Sequence, residues 1–264
     1  MTLSPTSSFL ETAKADAEAA AARSGVVVSK LEDMRTLTAV QRLYEDVWRT
    51  GPTGTPVTAD LLRALAKSGN PVFGAFDGGE LVGACFGFCS PPATGNVHSH
   101  IAGVRRLAQG RSVGLTLKLH QRAWAVGAGL KTMSWTFDPL IKRNAVFNLI
   151  KLGAEPVEYL DDFYGQMDDD VNRDDPSDRL LVRWWLDHPL PQRTESASGV
   201  NPTTAYSVPV PEDIETMRLQ DPGRAAAWRR ELRRELGGRM ASGARVTGFD
   251  RTGHYLLSHD PLNA

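Results

Sequence analysis

Residues 104–114 read VRRLAQGRSVG and lie between an apolar run typical of a strand and an apolar run typical of a helix. Small residues in such a connection let backbone N–H groups face a bound anion, and the following helix adds the positive end of its dipole. A pyrophosphate suits a site of this kind, although an ordinary connection is the structural alternative. Neither Gly-x-Gly-x-x-Gly nor a Gly-Lys-Ser/Thr ending occurs, so the dinucleotide-binding and ATP-binding loops are excluded.

The overall charge gives the chain no general means of attracting an anion. Lysine and arginine total 30, aspartate and glutamate total 31, and the formal net charge is -1 over 264 residues. No basic field is present for nucleic acid or anionic lipid. The sequence also lacks a window of about eighteen uninterrupted apolar residues. We therefore expect neither a nucleic-acid partner nor a membrane partner, and we expect a local device to hold any anionic ligand.

Two further features bear on the cellular compartment. Cys85 and Cys89 lie in one apolar run, too far apart along a strand to form a disulfide bond, which favours a reducing compartment. Residues 1–24 carry acidic side chains among alanines, with no basic start followed by an apolar block, and so do not resemble a secretory signal. These observations predict a cytoplasmic protein.

The apolar periodicity divides the chain into four parts. It predicts an N-terminal helix over residues 1–24, an α/β core over residues 25–186, a linker over residues 187–204 and a C-terminal extension over residues 205–264. An ordered surface loop is the alternative to the linker. Within the core, the predicted order is β-α-α-β-β-β-α-β-α-β-β. The clearest local signal is Asp77-Gly78-Gly79 between two apolar runs, which predicts a hairpin.

The loop is similar, without gap, to the acetyl-CoA signature of the GNAT (Gcn5-related N-acetyltransferase) superfamily, Arg/Gln-x-x-Gly-x-Gly/Ala after a strand that ends in valine. Gln109 matches the first position and Gly114 the last, whereas Ser112 replaces the central glycine. The predicted order of elements is also the GNAT order. The resemblance implies an α/β (α+β) fold: a mixed central sheet flanked by helices and splayed between two central strands, with a small C-terminal α/β extension.

The resemblance also implies a co-substrate, acetyl-CoA or another acyl-CoA, and no metal. The strand end would pair with the pantetheine arm, and the loop would hold the diphosphate. The implied cofactor-binding residues are Gly103, Val104, Gln109, Gly110, Arg111, Ser112, Val113, Gly114 and Asn144. Their structural alternatives are an ordinary strand end, a solvated loop charge for Arg111 and a helix N-cap for Asn144.

A second resemblance lies in the helix near residues 144–152. Family members end this helix in Tyr-x-Lys-x-Gly-Phe, and Lys151 and Gly153 match the lysine and the glycine. Leu149 takes the place of the tyrosine that commonly protonates the CoA thiolate, so the usual general acid is absent. Tyr164 is a candidate replacement, and its structural alternative is packing.

Candidate catalytic side chains lie on the strand before the loop and on its neighbour. His98 and His100 are two residues apart, which predicts that both project from the face that also carries Val104. His98 falls where related histone acetyltransferases keep a glutamate base, and an unperturbed imidazole with a pKa near 6.5 accepts a proton at neutral pH. Asp138 would hold the substrate ammonium group. A structural hydrogen bond and a strand-ending turn are the respective alternatives.

The function implied by the resemblance is acyl transfer to an amine. Segments such as His98-Ser99-His100 resemble a bacterial and archaeal subgroup with a C-terminal extension, some members of which use succinyl-CoA and amino acids. We therefore expect transfer of an acetyl or succinyl group to a small-molecule amine by direct attack, and the sequence leaves a homodimer open. The alternatives are an inactive CoA-binding sensor or assembly module, which Ser112 and Leu149 suggest, and a purely structural protein.

Overall fold

The order of elements was obtained from a computed structural model, which describes residues 5–49, 54–167, 169, 172, 175–191 and 206–259. The first elements are α1 (Pro5–Ser24), β1 (Val27–Lys30), α2 (Met34–Trp48), α3 (Ala59–Lys67), β2 (Val72–Asp77), β3 (Glu80–Cys89), β4 (Asn96–Val104), α4 (Val113–Gly127) and β5 (Thr132–Phe137). Short 3₁₀ turns occupy Pro92–Thr94 and Arg106–Ala108.

The later elements begin with α5 (Lys142–Ala145), which continues as a π-helical stretch over Val146–Lys151. The chain then forms β6 (Glu155–Leu160), β7 (Arg179–Trp185), β8 (Tyr206–Pro209), α6 (Ile214–Gln220), α7 (Pro222–Leu232), a second π-helical stretch (Arg233–Gly237), α8 (Gly238–Ala241), β9 (Ala244–Phe249) and β10 (His254–His259). The predicted order of the core is confirmed. Strand β8 was not predicted, and most of the predicted linker lies outside the described residues.

The strands form two sheets. The larger is mixed, in the order β1-β2-β3-β4-β5-β7-β6, with β4 and β5 parallel, and the smaller is antiparallel, in the order β8-β10-β9. The hairpin between β2 and β3 turns at Gly78 and Gly79, whose φ angles are 55° and 91°. These are the positive angles that the Asp-Gly-Gly sequence predicted, and the predicted mixed α/β architecture with an added C-terminal sheet is confirmed.

The chain divides into two compact units, Met1–Ser134 with Trp185–Asp187, and Trp135–Trp184 with His188–Ala264. In the first unit, the sheet is covered on both faces. We call the apolar cluster on one face the α2/α3 core; it includes Leu37, Leu43, Leu62, Leu81, Ala84 and Phe86. The cluster on the opposite face, the α4 core, includes Phe73, Ala75, Val82, Cys85, Val113 and Leu117.

From Ala84 to Phe86, consecutive residues of β3 alternate between these two cores, as a strand with two buried faces requires. Nearer the hairpin, the register shift between Ala75 and Phe76 interrupts the alternation, so that Leu81 lies in the same core as Ala84, and Val82 in the same core as Cys85. Both cysteines have free thiols: Cys85 is buried and Cys89 is exposed. Helix α1 packs along α4. Among the helices that the structure describes, none is long and apolar enough to cross a membrane.

The second unit contains a buried cluster of four charged side chains. Arg229 donates to both oxygens of Asp138, with each N···O distance 2.9 Å, and Arg218 lies 2.5 Å from Asp138. The same two guanidinium groups donate to Asp175 Oδ2, each from Nη2 at 2.8 Å. All four side chains are at most 6% exposed. Residues 229–235 carry charges of both signs, a pattern typical of a solvated helix face, but Arg229 is buried.

The cluster holds its carboxylates in the charged form. Burial by itself raises the pKa of Asp138, but the neighbouring Arg229 and Arg218 outweigh it and hold that pKa well below its ordinary value. A depressed folded-state pKa stabilises the fold above the ordinary carboxyl pKa, and this contribution is lost as the pH falls through the folded-state value. The second unit is therefore expected to lose stability in acid, below about pH 4.

We predict that Arg229→Met lowers the free energy of unfolding at pH 7 by about 3–5 kcal/mol, because it removes a shared cation from two buried carboxylates. Urea denaturation measures this change. The matched control is Arg230→Met at an exposed neighbouring position, for which we expect a change within about 0.5 kcal/mol. Equal effects of the two substitutions would contradict a stabilising role of the cluster.

Candidate functional site

Strand β4 is supported unequally along its two edges. It pairs with β3 from Val97 to Val104, whereas its parallel ladder with β5 covers three residue pairs, Asn96–His98 with Thr132–Ser134. The carboxyl end of β4 therefore lies beyond the ladder with β5. Gly103 in this end has no room for a side chain, since an added Cβ would lie 2.8 Å from Trp48 Cζ3. Its backbone is thereby fixed between β3 and α2.

The loop after β4 contains two residues in the left-handed region of backbone conformation, one on either side of Arg111. Gly110 has a φ of 81°, and Ser112, the N-cap of α4, has φ 65° and ψ 17°. Ser112 thus adopts the conformation that glycine takes most easily. The cost for a residue with a Cβ is about 1–2 kcal/mol. The serine at the signature's central glycine position therefore keeps a left-handed backbone and carries strain.

Helix α4 begins at Val113, directly after Ser112, so the N–H groups of its first turn lie at this end of the loop. The first turn of any helix leaves its N–H groups without intrahelical partners, and successive left- and right-handed residues form a concavity for anions. Gly114 leaves the space beside this turn open, because an added Cβ would meet only Val104 Cγ2, at 3.9 Å. The side chain of Gln109 lies against the strand end, with Nε2 3.4 Å from the Val104 carbonyl oxygen.

Arg111 is the loop residue whose placement differs from the expectation. Its guanidinium forms an ion pair with Asp77 at 2.6 Å and donates to the carbonyl oxygen of Ser24 at 3.1 Å. The side chain is therefore used within the protein, and what Arg111 offers an anion is its backbone N–H.

We predict that Ser112→Gly raises the free energy of unfolding by about 0.5–1 kcal/mol, because glycine adopts the left-handed conformation without strain. The greater entropy of glycine in the unfolded chain offsets part of this gain. The matched control is Ser112→Ala, which keeps the Cβ; we expect a change within about 0.5 kcal/mol, since the Ser112 side chain makes no capping bond. Chemical denaturation compares the three proteins. A destabilising Ser112→Gly would contradict a strained position.

His98 and His100 lie together on one side of β4. Their ring centroids are 5.7 Å apart, and Phe88 lies 5.2 Å from the first and 5.7 Å from the second. His100 also contacts Phe86, at 5.5 Å, which places the pair on the side of the α2/α3 core. Both imidazoles are half-buried.

The expectation that Val104 shares this face is wrong, because β4 is irregular. The register with β3 shifts between Phe86 and Gly87, so that Ile101 and Ser99 are partners of consecutive residues and His100 falls between them. Val104 consequently packs against the α4 core. Gly87 permits the shift, since an added Cβ would lie 2.5 Å from the carbonyl oxygen of His98.

The environment makes His98 a weak base. Burial, together with smaller contributions from the nearby His100 and Lys118, lowers the pKa of His98 to about 4. Burial also lowers the pKa of His100. Both imidazoles are therefore neutral at physiological pH, and His98 lacks the unperturbed pKa that the sequence suggested.

Sequence reasoning missed a buried polar cluster behind the histidines. Lys118 of α4 donates to Ser99 Oγ at 2.6 Å, and Ser99 donates to Gln121 Oε1 at 2.8 Å. All three side chains are at most 5% exposed. Burial lowers the pKa of Lys118 to about 7. The sequence did contain a signal for this cluster. Lys118 lies between Leu117 and Leu119, among apolar residues that a helix buries, and a lysine at such a position indicates a buried polar contact.

The other candidate residues lie in the second unit. Asp138 has both carboxylate oxygens engaged by the buried arginines and by the backbone N–H of Leu140. Asn144 is not a helix N-cap, because α5 begins two residues earlier, after Ile141. The hydroxyl of Tyr164 lies 3.1 Å from Thr136 Oγ1 of β5, and the residue is 38% exposed.

No group of three or more potential metal-ligating side chains that could hold an ion occurs in the described part of the chain.

We predict that heteronuclear NMR will show His98 titrating with a midpoint near pH 4, with no inflection between about pH 5.5 and 8. A His98→Gln variant identifies the resonance. A midpoint near the ordinary histidine value of about 6.5 would contradict the neutral pair.

Comparison with solved structures identifies the fold. A ribosomal-protein-alanine N-acetyltransferase from Brucella melitensis matches with a TM-score of 0.51 and 17% identity, over 60% of this chain and 99% of that protein. An N-acetyltransferase from Staphylococcus aureus Mu50 matches at 0.49 and 15%, over 61% and 98%. YncA, a putative acetyltransferase from Salmonella typhimurium with its cofactor acetyl-CoA, matches at 0.49 and 15%, over 64% and 99%.

No protein-family profile matches the sequence, and no curated protein matches it. At these identities the similarity establishes the fold, and the Brucella protein, whose TM-score exceeds 0.5, carries that conclusion. The chain has the fold of the GNAT N-acetyltransferases.

Proposed function

We propose that this chain is an acyl-CoA-dependent N-acyltransferase that transfers an acetyl or succinyl group to the amine of a small molecule. The conformation of the loop over residues 104–114 carries the proposal. Positive φ angles at Gly110 and Ser112 and the first-turn N–H groups of α4 form a cradle suited to a diphosphate. The GNAT fold gives this loop the same place in the order of elements as the acetyl-CoA signature.

The residues present fit an acyl-CoA thioester, which would supply the activated acyl group. The backbone of Gly103 and Val104 would pair with the pantetheine arm, because this end of β4 lies beyond the ladder with β5. The loop backbone from Gln109 to Gly114 would hold the diphosphate. A contact of Asn144 with the cofactor stays a prediction, and the proposal includes no metal.

The low pKa of His98 determines how the amine must react. An alkylammonium ion has a pKa several units above 4, the value for His98, so this imidazole cannot deprotonate it to a useful extent. The amine must therefore reach the site neutral. Once its nitrogen forms the new C–N bond, that nitrogen becomes acidic and passes its proton to His98 as the C–S bond breaks.

The contacts of Asp138 and His100 limit the roles that these two residues can have in the reaction. The carboxylate of Asp138 is occupied by arginines, so the proposal gives it no contact with the substrate ammonium group. His100 borders His98 and contributes to its low basicity. The role of Tyr164 as proton donor to the departing thiolate stays a prediction, and a thiol is also a tolerable leaving group without an acid.

Isothermal titration calorimetry with CoA, acetyl-CoA and succinyl-CoA tests the binding step, and thioester cleavage with a panel of amines tests transfer. We expect saturable binding and amine-dependent release of thiol. Binding without cleavage for any amine would favour the alternative, a CoA-binding sensor or assembly module. Absence of binding to all three thioester and thiol species would exclude the proposed function.

We predict that His98→Gln lowers kcat about 100-fold or more, the usual contribution of a general base, and leaves the Kd for CoA within about twofold, since His98 is not part of the loop. Steady-state kinetics at saturating acyl-CoA provide the measurement. The control is His188→Gln at an exposed histidine.

For the wild type, kcat/KM should rise with pH toward the pKa of the amine, without an inflection from His98 between about pH 5.5 and 8.

An unchanged kcat in His98→Gln would remove this residue from the mechanism. An amino acid as acceptor is a further part of the proposal that the resemblance described above supports, and a cytoplasmic location is one that the two free cysteines support. A homodimer stays a prediction.

A further inference from the structure

The last turn of α1 is bonded directly to the first turn of α4. The hydroxyls of Ser24 and Thr116 lie 2.9 Å apart, and Thr116 Oγ1 is also 3.1 Å from the carbonyl oxygen of Ala20. Both side chains are buried, at 3% and 0% exposure. Thr116 in turn donates its backbone N–H to the carbonyl oxygen of Ser112 at 3.1 Å. The helix that follows the cofactor loop is thus attached to α1 within one turn of the loop.

Arg111 makes a second attachment from the middle of the loop. Its Nη2 donates to the carbonyl oxygen of Ser24, and its Nη1 pairs with Asp77 at the β2–β3 turn. The carbonyl groups at a helix C-terminus carry partial negative charge, which suits a guanidinium. Gly25, which follows the last residue of α1 with a φ of 67°, lies beside this guanidinium. Arg111 therefore joins the loop to α1 and to the hairpin simultaneously.

The loop needs such support because of its backbone conformation. Arg111 lies between two residues with positive φ, Gly110 and the strained Ser112. A free loop would leave this conformation readily, and the N–H groups would then have to be ordered again each time an anion bound. Fixing the conformation in advance removes that entropic cost from binding.

We propose that Arg111 and Thr116 are positioning residues, which tie the anion-binding loop to α1 and to Asp77 and so hold it ready for the diphosphate of an acyl-CoA. This inference rests on the proposed function for its ligand. It assigns a role to the N-terminal helix, whose contacts reach the loop although no residue of α1 belongs to the proposed site.

The substitution Asp77→Asn separates positioning from direct phosphate binding. It leaves Arg111 in place and releases its guanidinium from a carboxylate. If Arg111 is a direct phosphate ligand, the released cation should tighten CoA binding. If Arg111 is a positioning residue, the loosened loop should weaken it, and we expect the Kd for CoA by calorimetry to rise about tenfold, with kcat at saturating acyl-CoA and the KM for the amine within about twofold. Arg111→Met should raise the Kd at least as much, and Arg111→Lys should restore part of the affinity.

The matched control is Asp16→Asn, which removes another attachment of α1 to α4. Asp16 of α1 forms an ion pair at 3.0 Å with the buried Arg122, which lies on α4 in the turns after Thr116. We expect Asp16→Asn to lower thermal stability but to leave the Kd for CoA within about twofold, because its pair does not reach the loop. An equal rise in Kd for both variants would show general loosening and would overturn the proposal.

A readout without ligand distinguishes failure of this inference from failure of the proposed function. Hydrogen exchange at the backbone amide of Thr116 reports on its bond to Ser112 in the free protein. We expect faster exchange at this amide in Asp77→Asn than in the wild type, with no such change in Asp16→Asn. Unchanged exchange in Asp77→Asn would overturn the positioning role even if CoA binds; faster exchange without CoA binding would instead retire the acyl-CoA assignment.

Discussion

Strand β4 is held along almost its whole length by β3 but over only three residue pairs by β5. A strand end whose second edge is not engaged by a neighbour offers backbone hydrogen-bonding groups that a ligand can use. The rest of the first unit maintains this arrangement. Trp48 excludes any side chain from Gly103, and the register shift at Gly87 places Val104 on the face opposite the two histidines. The chemistry proposed for the chain follows from a backbone that is fixed without being fully paired.

The same rigidity limits the chemistry of the side chains. Half-burial beside aromatic rings makes the imidazole of His98 neutral and weakly basic, and the buried Lys118 behind the strand opposes its protonation. Such a base is useful only after the nucleophile has begun to bond, when its proton has become acidic. Positioning of the two substrates, rather than strong base catalysis, would then supply most of the acceleration.

The sequence predicted the first unit well because its signals are local. Apolar periodicity and the Asp-Gly-Gly turn specify elements through neighbouring residues, and the loop was identified from eleven consecutive residues. What it missed depends on partners distant in the chain. The register shift that moves Val104 to the opposite face arises from pairing with β3, and the engagement of Asp138 requires Arg218 and Arg229. A helix with mixed charges carries no local sign that one arginine will be buried.

The separation of these ion-paired residues bears on how the protein is made. Asp138 and Arg229 are 91 positions apart, so a nascent chain emerging from the ribosome displays the end of β5 long before its counter-ions exist. Until α7 emerges, this carboxylate must remain hydrated, and the strand end cannot be enclosed. The first unit has nearly all its residues by then and is free to fold early, whereas the second must await the end of translation. A prematurely terminated chain would therefore expose an incomplete second unit to proteases.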